Sequence, residues 1–283
     1  MAPTLCPITV CLILITLTLL SSIGGMAQDT VERIEKLSTV LKDLNSWQLE
    51  LVEQVVEQFR KPYISIDGFA ESDIVSECFL NYFGDILKIH HTFSKEAFTK
   101  DKFEYALERV SNLCRNFAQL APRGNPGHDI TINGVKISLK TQADINIRVK
   151  KLHISKFMEL GKGEWSDSVE NLEGLRKQFL AHLEAYERIF SLRCLSKKPE
   201  KWHYELVEIP KSLLDEARNG NLRIVGKSSQ TPKPGYCDVT DETGELKFQL
   251  YFDGGTERKL QIKNLLKNYC IVHANWIFST ELL

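Results

Sequence analysis

Apolar side chains recur at three- and four-residue steps over residues 29–60, with Val31, Ile34, Leu37, Leu41 and Leu44 on one stripe. That spacing predicts an α-helix with one apolar face. Pro62 stops it, because proline lacks the backbone donor and crowds the preceding turn. The same period returns over 71–90 (ESDIVSECFLNYFGDILKIH) and over 101–120, where Phe103, Leu107, Val110, Leu113 and Phe117 share a face. A further helix is predicted over 167–190, burying Val169, Leu172, Leu175, Phe179, Leu183 and Phe190.

After Pro122 and Pro126 the period falls to two, in GHDITINGVKISLKTQAD. Asn133-Gly134 sits between two β-branched runs, and a two-residue hairpin turn needs positive φ at both central positions, which Asn and Gly tolerate best. The C-terminal third is β-rich. LKFQLYF (246–252) alternates cleanly and reads as a half-buried strand, Asp253-Gly254-Gly255 as a turn, RKLQIK (258–263) as the segment that follows it, and CIVHANWIF (270–278) as a buried strand, after a loop at 228–235. The fold class expected is α/β of the α+β kind, a mixed β-sheet flanked by helices.

Residues 1–28 carry no charged side chain, and 8–20 is almost unbroken apolar sequence. Gly25 and Ala27 suit a signal-peptidase site, yet no Lys or Arg precedes the apolar run. Two readings stand: a secretory or anchoring leader, or an extension upstream of a start at Met26. The second, with a cytoplasmic location, is the one expected. The remaining organisation is an N-terminal helical segment over 29–70, a core over 71–195 and a β-rich part over 196–283 within the same folded body.

Composition narrows the function. With 36 basic and 37 acidic residues the net charge is -1, which excludes a globally basic nucleic-acid coat but not local basic patches. Seven scattered cysteines without a CxxC pair argue against a disulfide scaffold or a zinc knuckle; Cys78 and Cys114 fall on predicted helices and read as small core residues. There is no HExxH, so a zinc protease is not expected.

The hairpin carries the candidate chemistry. Pairing outward from Asn133-Gly134 opposes Ile132 to Val135, Thr131 to Lys136, Ile130 to Ile137 and Asp129 to Ser138. Alternation then gathers Ile130, Ile132, Val135, Ile137 and Leu139 on a core face. Asp129, Thr131, Lys136, Ser138 and Lys140 fall on the other. Asp129, Ser138 and Lys140 meet at the open end of the hairpin. A carboxylate, a second oxygen and a lysine suit phosphodiester cleavage. Mg²⁺ takes hard oxygen ligands and few protein carboxylates, here Asp129 with the Leu139 main-chain carbonyl, and Lys140 would hold the attacking water.

The pattern D129-x8-S138-x-K140, in PGHDI…ISLKT, resembles the PD-(D/E)xK nuclease superfamily, and within it the type II restriction endonucleases. The resemblance is strongest over residues 70–165, including HISKFMELGKGEW. Ser138 stands where the family usually has a second acid. The resemblance implies a restriction-endonuclease-like core and Mg²⁺-dependent, sequence-specific cleavage of double-stranded DNA leaving 5′-phosphate ends. It also implies a homodimer, because a two-fold enzyme matches a two-fold site. It further implies a replacement carboxylate from a helix before the core sheet. Glu77 is the expected one, with Glu71 and Glu159 as alternatives. Beside such a site Arg148, Lys150, Lys151 and Lys156 would contact phosphates, and Arg258, Lys259 and Lys263 would read bases. His273, in an apolar strand, reads as a satisfied core histidine. Two other readings stay open: a repair or recombination nuclease, and a secreted or anchored binding protein with an inert hairpin.

Overall fold

In the computed structural model, residues 28–122, 124–125, 127–161 and 168–281 are described. The expected leader lies almost wholly outside them, as does Pro126. The chain divides into two units, Met1–Glu57 and Gln58–Leu283. In the first, residues 28–41 are helical, and α1 (Ser46–Arg60) starts there. The single helix expected over 29–60 is therefore interrupted. Asn45 is the cause: its side chain accepts from the Gln48 amide at 3.0 Å, and the Gln48 side chain accepts from the Asn45 amide at 3.0 Å. This reciprocal capping satisfies donors that a new helix start leaves orphaned.

The second unit is built on a seven-stranded sheet. Its strands are β1 (Ser65–Gly68), β2 (Ala118–Leu120), β3 (Ile130–Ile132), β4 (Val135–Gln142), β6 (Arg188–Lys198), β7 (Lys201–Glu208) and β12 (Ile271–Phe278). Their order is β1-β12-β7-β6-β4-β3-β2, with β4 and β6 parallel and the other neighbours antiparallel. A second sheet has the order β5-β11-β10-β9-β8, from β5 (Lys151–Glu159), β8 (Asn221–Ile224), β9 (Gly235–Thr240), β10 (Leu246–Asp253) and β11 (Lys259–Leu266). The helices are α2 (Glu77–Phe93), α3 (Lys100–Leu113), α4 (Val169–Leu183) and the short α5 (Lys211–Asp215). The mixed sheet with flanking helices agrees with the α+β class read from the sequence. A domain boundary at 195/196 would cut through β6, which is one continuous strand.

Two apolar cores explain why the central sheet is buried on both faces. One, against α2 and α3, contains Phe79, Phe83, Phe103, Leu107, Leu139 and Phe190. The other, against α4 and the second sheet, contains Phe157, Phe179, Ile189, Val207 and Leu250. Alternation sends Phe190, Leu192 and Cys194 of β6 to the first core, while Ser191 and Arg193 are buried on the opposite side. Phe190, expected on the long helix, belongs to this strand. His273 is 3% exposed and bonded to both Ser72 and Glu208 at 2.7 Å, a satisfied core histidine as read from the sequence.

Side-chain caps set the helix starts. Ser76 accepts from the Phe79 amide, Thr99 from Lys102 and Ser168 from Asn171. Cys78 and Cys114 are joined in a disulfide, with Cα atoms 5.7 Å apart, and are not separate core thiols. The bond ties the first turn of α2 to the C-terminal end of α3. Cys194, Cys237 and Cys270 are free. No described helix is long and apolar enough to cross a membrane.

Candidate active site

The hairpin has the register read from the sequence: Ile130 pairs with Ile137, Thr131 with Lys136 and Ile132 with Val135. Asn133 has φ 51° and Gly134 φ 86°, the two positive values this turn needs. Ile130, Ile137 and Leu139 are fully buried in the α2/α3 core, so Ser138 and Lys140 project from the other face of β4. Asp129 immediately precedes β3, and its amide donates to the Ile137 carbonyl. The carboxylate is thereby aimed along β4.

Asp129 is the hub. Its Oδ2 accepts from the Leu139 amide at 2.6 Å and from the Ser138 hydroxyl at 3.3 Å. Lys140 Nζ donates to Ser138 Oγ at 3.0 Å, so the serine oxygen links the lysine to the carboxylate. Lys140 is 9% exposed and lies over the Phe157 ring of β5 at 5.1 Å. Burial between the two sheets lowers its ammonium pKa from 10.5 to about 8, with the Asp129 charge opposing the fall.

The other Asp129 oxygen is held by a residue the sequence reading did not single out. Lys100, the first residue of α3, donates to Asp129 Oδ1 at 2.7 Å and lies 3.2 Å from Glu104 Oε1. One ammonium thus bridges two carboxylates. Burial raises the Glu104 pKa, Lys100 opposes that rise, and the nearby Asp129 charge adds to it. Lys100, Glu104 and Glu108 fall at four-residue steps on one helix face. Glu108 accepts from the Leu120 amide and Asn112 donates to the Ala118 carbonyl, which lays α3 along β2 and brings Glu104 to the hairpin.

Glu77 is not brought to this cluster. It stands exposed at the start of α2, beside Cys78, whose disulfide fixes it near the C-terminal end of α3. Lys100 lies at the other end of that helix, and its 14 residues span about 21 Å. Glu71 is also exposed. Glu159 stands at the cavity margin, paired with Lys156 at 2.8 Å.

A cavity of about 770 Å³ opens over Asp129 and Lys140, bounded by β5 residues 154–159 and by His182 of α4. Burial, then the Lys140 charge, lowers the His182 pKa. Tyr186 is 1% exposed, and its hydroxyl has no protein partner; burial and the Asp129 carboxylate both raise its pKa. A second cavity, about 660 Å³, follows along the same two strands. Lys140 and Thr141 line the first and Gln142 and Ala143 the second; on β5, residues 154–159 line the first and 151–153 the second. The two cavities therefore form one groove between β4 and β5.

The basic residues divide along that groove. Lys156 borders the first cavity, and Arg148, Lys151 and Lys263 border the second. Lys150 is exposed between them. Arg258 lines a separate cavity at the β10–β11 turn, and Lys259 is paired with Glu257 at 2.9 Å. The groove wall is fixed from below. Arg193, fully buried and paired with Glu205, donates to the carbonyls of Arg148 and Lys151 at 2.8 Å and of Val149 at 3.4 Å.

The SmaI family of type II site-specific deoxyribonucleases matches the chain over residues 25–278. The type II restriction enzyme SmaI of Serratia marcescens is 47% identical over 251 residues, covering 88% of this chain and 98% of the relative. No solved structure matches. These matches bear out the resemblance to type II restriction endonucleases and exclude the reading as a non-enzymatic binding protein. Enzymes of this type act on DNA and generally need a divalent metal ion. The chain belongs to the SmaI family of type II site-specific deoxyribonucleases, and its activity is sequence-specific cleavage of DNA.

Proposed function

We infer that cleavage takes place at Asp129 and Lys140, with Mg²⁺ as the metal ion and 5′-phosphate and 3′-hydroxyl ends as products. The observation that carries this reading is the Lys100 ammonium seated between Asp129 and Glu104. A cation already occupies the position between two carboxylates where a metal ion would bind. The donor set fits Mg²⁺. It is all oxygen: the Asp129 and Glu104 carboxylates that share the Lys100 ammonium, with the Leu139 carbonyl beside them. Mg²⁺ characteristically uses one or two carboxylates and keeps several waters. The Tyr186 hydroxyl, buried without a hydrogen-bond partner within reach of the Asp129 charge, is an unsatisfied polar atom that a hydrated ion at this site would suit.

Asp129 and Glu104 would hold the ion, with the Leu139 carbonyl as a third oxygen, and Glu104 would take the role expected of Glu77. The bound metal offsets charge on the scissile phosphate and lowers the pKa of water. The protein groups do the rest. Ser138 fixes Lys140 against Asp129 through its hydroxyl and does not serve as an acid. Lys140 orients the attacking water and offsets the charge that builds on the phosphate oxygens. Lys100 holds the position that the ion would take, and its side chain is exposed enough to turn toward the DNA backbone instead. Lys156, Lys150, Arg148 and Lys151 contact phosphates along the groove.

One such cluster per chain cuts one strand, so the enzyme acts on both strands of a two-fold site as a homodimer. A cytoplasmic location is the one a DNA substrate favours. Plasmid DNA with Mg²⁺ gives discrete fragments, EDTA abolishes them, and Asp129→Ala gives none; fragments from Asp129→Ala would place the chemistry elsewhere. Sedimentation with a duplex site distinguishes a dimer from a monomer.

A further inference from the structure

Strand β11 is not regular where it borders the groove. Between the pairs Ile262–Ile154 and Leu265–Leu152, two residues of β11, Lys263 and Asn264, face a single residue of β5, His153. Asn264 has φ 54°, a left-handed conformation that is uncommon for a residue other than glycine. An extra residue of this kind is a β-bulge, which re-aims side chains that a regular strand would send to opposite faces. Here it turns both Lys263 and Asn264 into the second cavity, alongside Arg148. Neither contributes to the apolar core beneath, where Ile262 and Leu265 are fully buried.

Both residues line the groove, and both side chains are held in place from β10. Lys263 Nζ lies 3.4 Å above the Tyr251 ring, and the surrounding burial lowers its pKa. Asn264 donates its amide nitrogen to Gln249 Oε1 at 2.7 Å, which fixes the amide orientation. Its Oδ1 is thereby left as an acceptor, approached from the groove by Arg148 Nη1 at 3.5 Å. Gln249 is in turn fixed by donating to Asp238 at 2.7 Å. A donor and an acceptor, each pre-oriented, therefore stand side by side, a few residues along the groove from Asp129 and Lys140.

We propose that Lys263 and Asn264 are specificity-determining residues that read base edges in the major groove. Lys263 donates to guanine O6 and N7. Asn264 accepts through Oδ1 from the exocyclic amine of a neighbouring cytosine or adenine. Arg148 is then freed to take a phosphate. The inference rests on the groove assigned above, and it separates Lys263 from Arg258 and Lys259. Arg258 lines another cavity, and Lys259 is engaged by Glu257.

The test is sequence preference, read by selecting bound duplexes from a randomised pool in an Asp129→Ala background, so that no cleavage is needed. Asn264→Gly keeps the left-handed backbone while deleting the amide, and Lys263→Met keeps the stem over Tyr251. Each variant should relax the preference at one base position by roughly 10- to 100-fold, and Asn264→Gly, which removes no charge, should leave non-specific affinity within about threefold. The base at the Asn264-dependent position tells cytosine from adenine. Lys150→Ala, a phosphate contact, should weaken all sequences alike and reduce the salt slope by about 1. Unchanged preference in both bulge variants, or uniform weakening like that of Lys150→Ala, overturns the proposal. Cleavage persisting in Asp129→Ala would instead refute the catalytic assignment and leave this readout intact.

Discussion

Lys140 should make the enzyme less stable while making it active. A fall in its pKa from 10.5 to about 8 means that the site disfavours the ammonium, relative to water, by about 3 kcal/mol. Methionine has nearly the same length and no charge. Lys140→Met forfeits one hydrogen bond to Ser138, but Asp129 keeps Lys100 and the Leu139 amide as partners. The variant should therefore gain about 2 kcal/mol at pH 7 without metal, raising Tm by roughly 4–8 °C. Cleavage should fall at least ~10²-fold, as for loss of a charge-stabilising group at a transition state. The native pKa lies below the unfolded one, so the penalty is fully present below pH 8. It is relieved between about pH 8 and 10.5, where the folded lysine loses its proton first. Wild-type stability should accordingly climb toward that of Lys140→Met across this window. Thermal unfolding by circular dichroism in EDTA, with plasmid cleavage in Mg²⁺, reads both effects. A variant less stable than wild type at pH 7, or one cutting within tenfold of its rate, refutes the reasoning.

Three further outcomes follow from the same geometry. Glu104→Gln should lower Mg²⁺-activated cleavage by about 10²-fold or more, whereas Glu77→Gln should change it less than threefold; the reverse order in a single-turnover assay would restore Glu77. Arg193→Met leaves Glu205 buried with Lys267 as its remaining cation and releases the carbonyls of residues 148–151, so urea denaturation should show a loss of about 3 kcal/mol together with weaker DNA binding. Reducing the Cys78–Cys114 bond, which spans a sequence separation of 36, should lower stability by about 2–4 kcal/mol, and an unchanged Tm in reductant would mean that it contributes nothing.

The hairpin was legible in the sequence because its information is local. Asn133-Gly134 fixes the turn, the turn fixes the register, and the register fixes which side chains share a face. Strand β10 was legible for a similar reason, since its alternation reports a sheet with one wet side. Strand β5 was missed because bulges break its period: Ser155, Lys156 and Phe157 all lie opposite Gln261 alone. Strand β6 was missed because both of its faces are buried, with Ser191 and Arg193 sequestered like apolar residues. The Lys100–Glu104 pair shows the limit most clearly. Its i, i+4 spacing looks like any solvated helix stripe, and only the packing of α3 along β2 carries it to Asp129. Glu77 drew attention through its apolar neighbours, while the disulfide that keeps it at the far end of α3 had no local signature.

The most direct measurement is single-turnover cleavage by Asp129→Asn at saturating DNA, with binding measured in parallel. The substitution is isosteric and removes the charge that holds Lys100, so binding should be retained or strengthened. The cleavage rate should fall by about 10³-fold or more in Mg²⁺. A rate within tenfold of wild type, with binding intact, would contradict the assignment of Asp129 as the centre of the chemistry.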